Sequence, residues 1–432
     1  MSVKILFISY YFPPSGGAGV QRPAKLNKYL RDFDIEPIVI TVDENLASYP
    51  GFDPSLLNDV PSDLRIYRTA TAEPFGLYKK WIGRNSIPTA GFANESNPGL
   101  LQKAARFVRG NFFIPDARVG WNKFAFEQAC SLIEAEDIKV VLTTSPPHST
   151  QLVGLALKKK YGIKWISDLN DPWTDIYYYQ QLYHLPMAHR RNTALEYDVL
   201  KNADEVITVS QGFKKLFESK YKRNKEIKLI YNGFDPSDFA TKSESKANDD
   251  FVITYTGTLA DSYKPEAIFE AVKSFNQMSK RQVRLRFVGI MAPGIKEAIK
   301  GIGVDSWVEY IEQVPHKESI NYLMKSDALL LIVPEVKNGD GIIPAKLFEY
   351  LATRKRIIAL CSMQTDVFRI LDETAAGRGL PRVAERIKDY LIELVNSPVV
   401  SSKVDLELFD RKFQAGQLAD LCHKLNREIK QG

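Results

Sequence analysis

Two glycine-containing loops in the sequence each follow an apolar segment and precede a helical pattern. The first is Gly16-Gly17-Ala18-Gly19, which follows the apolar segment Lys4–Ser9. Glycine lets backbone N–H groups approach a ligand closely, and the N-terminus of a helix favours negative charge. A tight turn without a ligand would use the same residues. The density of glycine favours binding of an anion, with Gly17 and Gly19 as the contacts.

This first loop does not complete a dinucleotide-binding fingerprint. The fingerprint G-x-G-x-x-G/A requires a small residue three positions after its second glycine, and that position is Arg22 here. No Gly-Lys-Ser/Thr follows, so the loop is not a Walker loop either. The pattern therefore favours close approach to some other anion.

The second loop contains Gly341, Ile342 and Ile343 and leads into a helical pattern with Lys346 and Glu349 three residues apart. The loop amides and Lys346 can surround a diphosphate. The Glu349 carboxylate offers two acceptor oxygens, which suits the two hydroxyls of a ribose. An i,i+3 salt bridge on a solvated helix face is the alternative interpretation.

Length and composition restrict the class of protein that carries these loops. The chain has 432 residues, which predicts two or three domains, and its 44% hydrophobic content is that of a globular protein. The net charge of +6 fits a phosphorylated substrate or an anionic membrane surface better than genomic nucleic acid. Three widely separated cysteines indicate reduced thiols in a cytosolic protein. The apolar start Val3–Phe12 is too short to span a bilayer.

Short apolar segments alternate with helical patterns through most of the chain, which predicts α/β domains with parallel sheets. One series of predicted strands runs from Lys4–Ser9 to Glu205–Val209, and a second from Phe251–Thr256 to Arg356–Leu360. Turn residues near position 235 and the polar stretch Thr241–Asp250 separate the two series. The region from about 47 to 120 fits neither pattern.

Several motifs, in order along the chain, resemble those of the retaining glycosyltransferases of family 4. They are FISYYFPPSGGAGVQR, TTSPPHSTQLVGLALKKKYGIKWISDLNDPW, ADEVITVSQGF, IYNGFDPSDF, YTGTLADSYKPEAIFEAV and IPAKLFEYLATRKRIIAL. The resemblance implies the GT-B fold, in which two Rossmann-like α/β/α domains face a central cleft. It implies an acceptor-binding domain at 1–234 and a donor-binding domain at 235–408. A final helix at 409–430 is expected to pack back on the first domain.

The resemblance also assigns donor-binding roles in the second half. Glu349 aligns with the second glutamate of the family's donor-site pair and would bind ribose, whereas Gly341 stands at the position of the first glutamate. Backbone groups of Gly341, Ile342 and Ile343 would then take over the sugar contacts. Gly257 and Thr258 follow the first strand of this half, with Thr258 where the family often has arginine. Lys264 is the nearest substitute for the family's phosphate-binding lysine, or else a solvated residue at a helix start.

In the first half, the resemblance and the sequence context single out His148 and Asp171 as catalytic candidates. His148 follows Pro146 and Pro147 between a predicted strand and helix, in a region where a family histidine faces the transferred sugar. A structural histidine is the alternative. Asp171 follows another predicted strand and is expected to face the cleft, unless it caps a turn or helix.

The sequence therefore predicts a retaining transferase that moves a sugar from a nucleotide-diphosphate donor to an acceptor glycan or a lipid-linked sugar. Surface polysaccharide assembly is the expected setting. A nucleotide-sugar epimerase of the same fold and a non-catalytic nucleotide- or carbohydrate-binding protein are the alternatives. No metal is expected, because backbone amides and lysine can stabilise the departing diphosphate. The single D-x-D match, Asp32-Phe33-Asp34, is expected to be solvated surface.

A mixture of basic and large apolar residues between positions 79 and 113 predicts peripheral contact with an anionic membrane. It consists of Lys79–Arg84 together with Lys103, Arg106, Phe107, Arg109, Phe112 and Phe113. A packed helix with solvated charges is the alternative. The expected location is cytoplasmic, on the inner face of the plasma membrane if the contact exists.

Overall fold

The computed structural model describes residues 2–73, 99–222, 225–239, 250–396 and 405–431. The chain divides into two compact units. The N-terminal unit comprises residues 1–232 together with 411–432, and the C-terminal unit comprises residues 233–410.

The N-terminal unit is built on a parallel sheet of seven strands in the order β3-β2-β1-β4-β5-β6-β7. The strands are β1 (Val3–Ile8), β2 (Ile35–Val42), β3 (Arg65–Thr69), β4 (Val140–Ser145), β5 (Lys164–Leu169), β6 (Glu205–Thr208) and β7 (Lys228–Leu229). The helices are α1 (Ala18–Tyr29), α2 (Leu100–Phe112), α3 (Asn122–Glu136), α4 (Ser149–Tyr161), α5 (Pro186–Asn202) and α6 (Gln211–Lys220). The central strands are buried along almost their whole length, as in sheets covered by helices on both faces.

The C-terminal unit has a parallel sheet of six strands in the order β10-β9-β8-β11-β12-β13. The strands are β8 (Phe251–Thr256), β9 (Val283–Val288), β10 (Val308–Ile311), β11 (Ala328–Ile332), β12 (Arg356–Leu360) and β13 (Gly377–Leu380). The helices are α7 (Glu266–Met278), α8 (Pro293–Ile302), α9 (His316–Met324), α10 (Lys346–Thr353), α11 (Asp366–Thr374) and α12 (Ala384–Asn396).

The last helix, α13 (Arg411–Gln431), packs in the N-terminal unit, mainly against α1. Its apolar side places Leu418, Cys422 and Leu425 in the same core as Ile5 and Phe7 of β1. Ion pairs flank this core, with Lys424 Nζ 2.8 Å from Glu205 Oε1 and Glu428 Oε2 2.9 Å from Lys164 Nζ. Helix α13 therefore completes a sheet unit whose last strand, β7, ends at Leu229, far earlier in the chain.

Each sheet contains one point at which the strand order reverses. In the N-terminal unit it lies between β1 and β4, and in the C-terminal unit between β8 and β11. In open parallel sheets, ligands bind outside the carboxyl ends of the strands at this switch point. The segments after β1, β4, β8 and β11 are therefore the places where each unit is expected to present functional groups.

No helix in the described ranges is both long and apolar enough to cross a lipid bilayer.

Candidate functional site

Lys346 and Gly257 lie together at the switch point of the C-terminal unit. Lys346 begins α10 after the loop that follows β11, and its Nζ donates a hydrogen bond to the Thr256 carbonyl at 2.7 Å. Gly257 follows β8 directly with a φ of 96°, and a Cβ there would lie 3.3 Å from the Lys346 Nζ. Glycine at 257 is thus required both by the positive φ and by the approach of the lysine.

The Lys346 ammonium is held in a poorly hydrated position. Its Nζ lies 3.9 Å from the centroid of the Tyr255 ring, and Tyr255 is buried. Burial lowers the pKa of Lys346 to about 7, and the nearby Glu349 carboxylate opposes this shift. A lysine in this state gains charge readily when an anion arrives, because the anion replaces the missing hydration.

Glu349 is paired with a histidine of the neighbouring helix. Its Oε1 lies 2.9 Å from the Nε2 of His316, the first residue of α9. Both side chains keep some exposure, at 18% and 31%. The alternative of an exposed i,i+3 pair with Lys346 is thus not the geometry found. Sequence reasoning missed His316, because nothing in its local pattern connects it with a glutamate 33 residues later.

The loop before α10 offers backbone donors. The Ile342 amide is already bonded to the Gly339 carbonyl at 2.9 Å, whereas the Gly341 and Ile343 amides make no hydrogen bond within the described chain. Of the three residues predicted to contact the donor, Gly341 and Ile343 therefore retain a donor for a ligand.

Thr258 and Lys264 are exposed beyond β8. The Thr258 carbonyl accepts a hydrogen bond from the Tyr255 hydroxyl at 2.8 Å, which fixes the turn after Gly257. Lys264 has a φ of 47° and immediately precedes Pro265, the N-cap of α7. Lys264 therefore stands exposed at a helix start, and its phosphate-binding role remains a prediction.

In the N-terminal unit, the glycine loop is the N-terminus of α1. Gly17 is the N-cap with a φ of 105°, which favours glycine. Gly17 and Gly19 are both exposed, and a Cβ added at either would meet no described residue within 4 Å. Both glycines follow β1, at the switch point of this sheet. The loop therefore lies at an exposed helix N-terminus, where an anion would be favoured, and its role as an anion site remains a prediction.

Arg22 has a structural role that the fingerprint comparison did not reveal. The side chain is buried and makes two hydrogen bonds to the Asp168 carboxylate, each at 3.0 Å. Its remaining nitrogen donates to the carbonyls of Ile230 and Tyr231 at 3.1 and 2.8 Å. The large residue that excludes a dinucleotide fingerprint thus ties α1 to β5 and to the segment after β7.

His148 lies at the end of the loop after β4, on the other side of the same switch point. Its ring is stacked on Trp173 with 5.1 Å between the centroids and 12° between the planes. The side chain is 9% exposed, and neither ring nitrogen has a hydrogen-bond partner within the described chain. Burial lowers the pKa of His148, with Asp116 and Glu196 opposing the shift. A neutral imidazole with unpaired nitrogens is suited to hydrogen bonding with a hydroxyl group.

The surroundings of His148 are fixed by groups that sequence reasoning did not identify. Asp116 accepts hydrogen bonds from the Ser149 amide and hydroxyl, both at 2.8 Å, at the start of α4. Trp173 donates its indole N–H to Asn192 of α5 at 3.1 Å. Asp171 follows β5, and burial raises the pKa of its carboxyl to about 6. Perturbed titrating groups at the carboxyl edge of a sheet are typical of functional sites.

Comparison with known proteins agrees with this architecture. Residues 90–238 match the family described as Glycosyltransferase Family 4, which confirms the resemblance that the sequence motifs predicted. Among curated protein sequences, none matches the chain significantly.

Solved structures with the same fold cover almost the whole chain. Anabaena HepE in complex with UDP is 13% identical with a TM-score of 0.58, covering 100% of this chain and 99% of its own. Sucrose-phosphate synthase from Thermosynechococcus elongatus is 14% identical with a TM-score of 0.58, covering 99% and 98%. A putative UDP-N-acetylglucosamine 2-epimerase from Listeria monocytogenes is 13% identical with a TM-score of 0.55, covering 99% and 98%. The protein has the two-domain α/β architecture of the GT-B glycosyltransferases.

Proposed function

We propose that the protein is a retaining glycosyltransferase that moves a sugar from a nucleotide-diphosphate donor to an acceptor glycan or lipid-linked sugar. The observation that carries this proposal is the contact between Lys346 and Gly257 at the β8/β11 switch point, with Glu349 on the same helix. The lysine and the carboxylate lie on one helix directly after the loop that follows β11, and parallel sheets bind nucleotides at such switch points.

Each donor-binding group has a distinct role in the proposal. Protonated Lys346 stabilises the negative charge that develops on the diphosphate as the glycosidic bond to phosphate breaks. Amides of Gly341 and Ile343 bind the phosphate or the sugar, and Lys264 supplies a second positive charge. Glu349 keeps one carboxylate oxygen on His316 and offers the other to the ribose hydroxyls.

The N-terminal unit supplies the acceptor side of the proposed reaction. His148 hydrogen-bonds a sugar hydroxyl through an unpaired ring nitrogen, and Asp171 binds the acceptor. The acceptor hydroxyl attacks the anomeric carbon on the face of the leaving group and passes its proton to the departing phosphate oxygen. No protein carboxylate nucleophile is needed for such a step, and no metal ion is assigned to it.

The biological setting belongs to the same proposal. A sugar transferred to a lipid-linked acceptor would serve assembly of a cell-surface polysaccharide. The protein would act in the cytoplasm, in peripheral contact with the inner face of the plasma membrane.

Calorimetric titration of nucleoside diphosphates tests the donor site directly. We expect one of UDP, GDP, ADP and TDP to bind, and Glu349→Gln to weaken that binding by about 10- to 100-fold, as expected for a hydrogen bond to a charged group. The exposed Glu318 on α9 provides the matched control, Glu318→Gln, which should leave affinity unchanged. Absence of binding by every nucleotide, or equal affinities in the two variants, would refute the assignment.

Incubation with the matching nucleotide sugar separates the proposed activity from its alternatives. Acceptor-dependent release of nucleoside diphosphate supports the transferase. Conversion of the sugar to its epimer without any acceptor identifies an epimerase. Binding without either reaction, across a panel of lipid-linked and free glycan acceptors, indicates a binding protein.

A further inference from the structure

Helix α2 (Leu100–Phe112) exposes its apolar side. Leu100 is 85% exposed, Leu101 78%, Val108 45% and Phe112 73%. The opposite side is buried and carries Arg106, which is 5% exposed. A surface helix of a globular protein normally buries its apolar face and exposes its charges. Helix α2 instead exposes its apolar face and buries an arginine, so the apolar face is accessible to a binding partner.

The exposed apolar residues lie along one side of the helix, and Asn111 is the polar residue among them. At 100° per residue they fall within an arc of about 140° that runs the length of the helix. We call this set the α2 stripe, and its members are Leu100, Leu101, Ala104, Phe107, Val108 and Phe112. The sequence also predicted membrane contact for Lys79–Arg84, and these residues lie outside the described ranges. Arg106 is buried, so its predicted place on that surface is wrong.

The start of α5 extends the stripe. The Asn111 side chain donates to the Tyr183 carbonyl at 3.1 Å and accepts from the Leu185 amide at 2.7 Å. A Cβ at Gly110 would lie 2.4 Å from the Leu182 carbonyl oxygen, so the helix approaches this segment as closely as glycine allows. These contacts hold Leu185, 50% exposed, beside the C-terminal end of α2, with Met187, 79% exposed, two residues further on.

The charged residues of α2 and of the start of α5 are all basic. Neither α2 nor the first ten residues of α5, Pro186–Leu195, contains an aspartate or glutamate. Lys103, Arg190 and Arg191 are exposed there. A symmetric contact between two copies would bring these cations against their own equivalents, which disfavours self-association. Apolar side chains among cations are complementary to a surface of anionic headgroups over hydrocarbon.

We propose that the α2 stripe, with Leu185, Met187 and the flanking cations, is the docking surface of this protein on an anionic phospholipid bilayer. The apolar side chains enter the headgroup–acyl boundary, and the cations bind the headgroups. The proposal concerns the N-terminal unit alone and does not depend on any sugar chemistry.

Vesicle flotation of the purified full chain tests the proposal. The probes are vesicles of phosphatidylcholine alone and of phosphatidylcholine with about a third phosphatidylglycerol. We expect binding to the anionic vesicles, weakened by salt. The double variant Arg190→Gln with Arg191→Gln should weaken binding by about 30-fold. Each basic residue near an anionic surface contributes about 1 kcal/mol, and every 1.4 kcal/mol corresponds to roughly a tenfold change in affinity. The control, Lys159→Gln with Lys215→Gln, removes two exposed lysines elsewhere in the unit.

The apolar contribution is tested separately. Leu101→Ser with Phe112→Ser should abolish binding to the anionic vesicles, whereas Met278→Ser with Met363→Ser, equally exposed in the C-terminal unit, should not. Because all four side chains are exposed, the variants should keep the thermal transition of the parent chain. Failure of the parent chain to float with anionic vesicles overturns the proposal. An equal loss of vesicle binding in the control variants also overturns the proposal. A dimer of the parent chain in light scattering that is absent in the Leu101/Phe112 variant overturns it as well, because the stripe would then bind a second copy.

Discussion

The poorly hydrated Lys346 predicts that nucleotide-sugar affinity falls as pH rises above neutrality. Burial lowers the pKa of this lysine to about 7 in the free protein. A bound diphosphate favours the ammonium form and raises that pKa. The nucleotide sugar therefore binds the protein in which Lys346 is protonated, and raising the pH lowers the fraction of protein in that form.

The size of the effect follows from the pKa. With a pKa of about 7, half of the lysines carry a proton at pH 7 and about 3% at pH 8.5, if the pKa of the complex lies above that range. The dissociation constant should therefore rise about 16-fold between these pH values, equivalent to about 1.6 kcal/mol. A lysine with an ordinary pKa of 10.5 would produce no change across the same interval.

Calorimetry measures both the affinity and the proton that accompanies it. The ligand is the nucleotide sugar identified by the screen, because its doubly esterified phosphates do not titrate in this range. Titrations in two buffers of different ionisation enthalpy should show uptake approaching one proton per ligand at about pH 8.5, since the free lysine is then almost fully neutral. Lys346→Arg, which stays charged, should remove the pH dependence, and Lys355→Ala, in the segment between α10 and β12, should keep it.

Two results would refute this reasoning. One is an affinity that does not change between pH 7 and pH 8.5 in the parent chain. The other is an unchanged pH dependence in Lys346→Met, which would assign the proton to a different group.

Two further predictions concern stability. Burial raises the pKa of Asp171 from 3.8 to about 6, so the ionised carboxyl destabilises the folded state at neutral pH. This destabilisation decreases as the pH falls from the folded-state pKa of about 6 to the unfolded-state pKa of 3.8. Asp171→Asn should raise the free energy of unfolding at pH 7 by up to about 3 kcal/mol, and most of this gain should be lost by pH 4. The exposed Asp137→Asn should show no such trend in urea titrations. Arg22→Met should cost about 3–5 kcal/mol by the same assay, because it leaves the Asp168 carboxylate buried without its cation. Arg378→Met, which breaks an exposed ion pair, should cost less than about 1 kcal/mol, and equal losses would contradict the argument.

The sequence predicts the central strands of both sheets well. Phe251–Thr256 and Arg356–Leu360 have the predicted bounds, and Lys4–Ser9 and Glu205–Val209 differ from the observed strands by no more than one residue at either end. Buried parallel strands are continuous apolar segments, which a sequence displays directly. The sequence did not reveal the sheet-edge strands Arg65–Thr69, Lys228–Leu229 and Gly377–Leu380, because short, polar or glycine-rich segments gain their strand character from a neighbour.

Residues of the candidate site were predictable where the neighbouring sequence alone indicates their position. Gly17 and Gly257 were nominated from loops after strands, and both have the positive φ that makes glycine necessary. The partners of the nominated residues were not predictable, because they come from distant parts of the chain. The Glu349–His316 pair, the Arg22–Asp168 pair and the stack of His148 on Trp173 join residues that only the topology of the sheets brings together. The catalytic and donor-binding roles remain predictions.

Helix α13 has a consequence for the order in which the protein acquires its structure during synthesis. The C-terminal unit is one continuous segment, residues 233–410, and its chain is complete when residue 410 has left the ribosome. The N-terminal unit begins first but lacks α13 until residues 411–431 emerge, and until then the core surface around β1 has no cover from Leu418, Cys422 and Leu425. The half of the protein that is translated first is therefore the half that matures last, and its nascent form displays apolar surface for chaperones throughout translation of the other half.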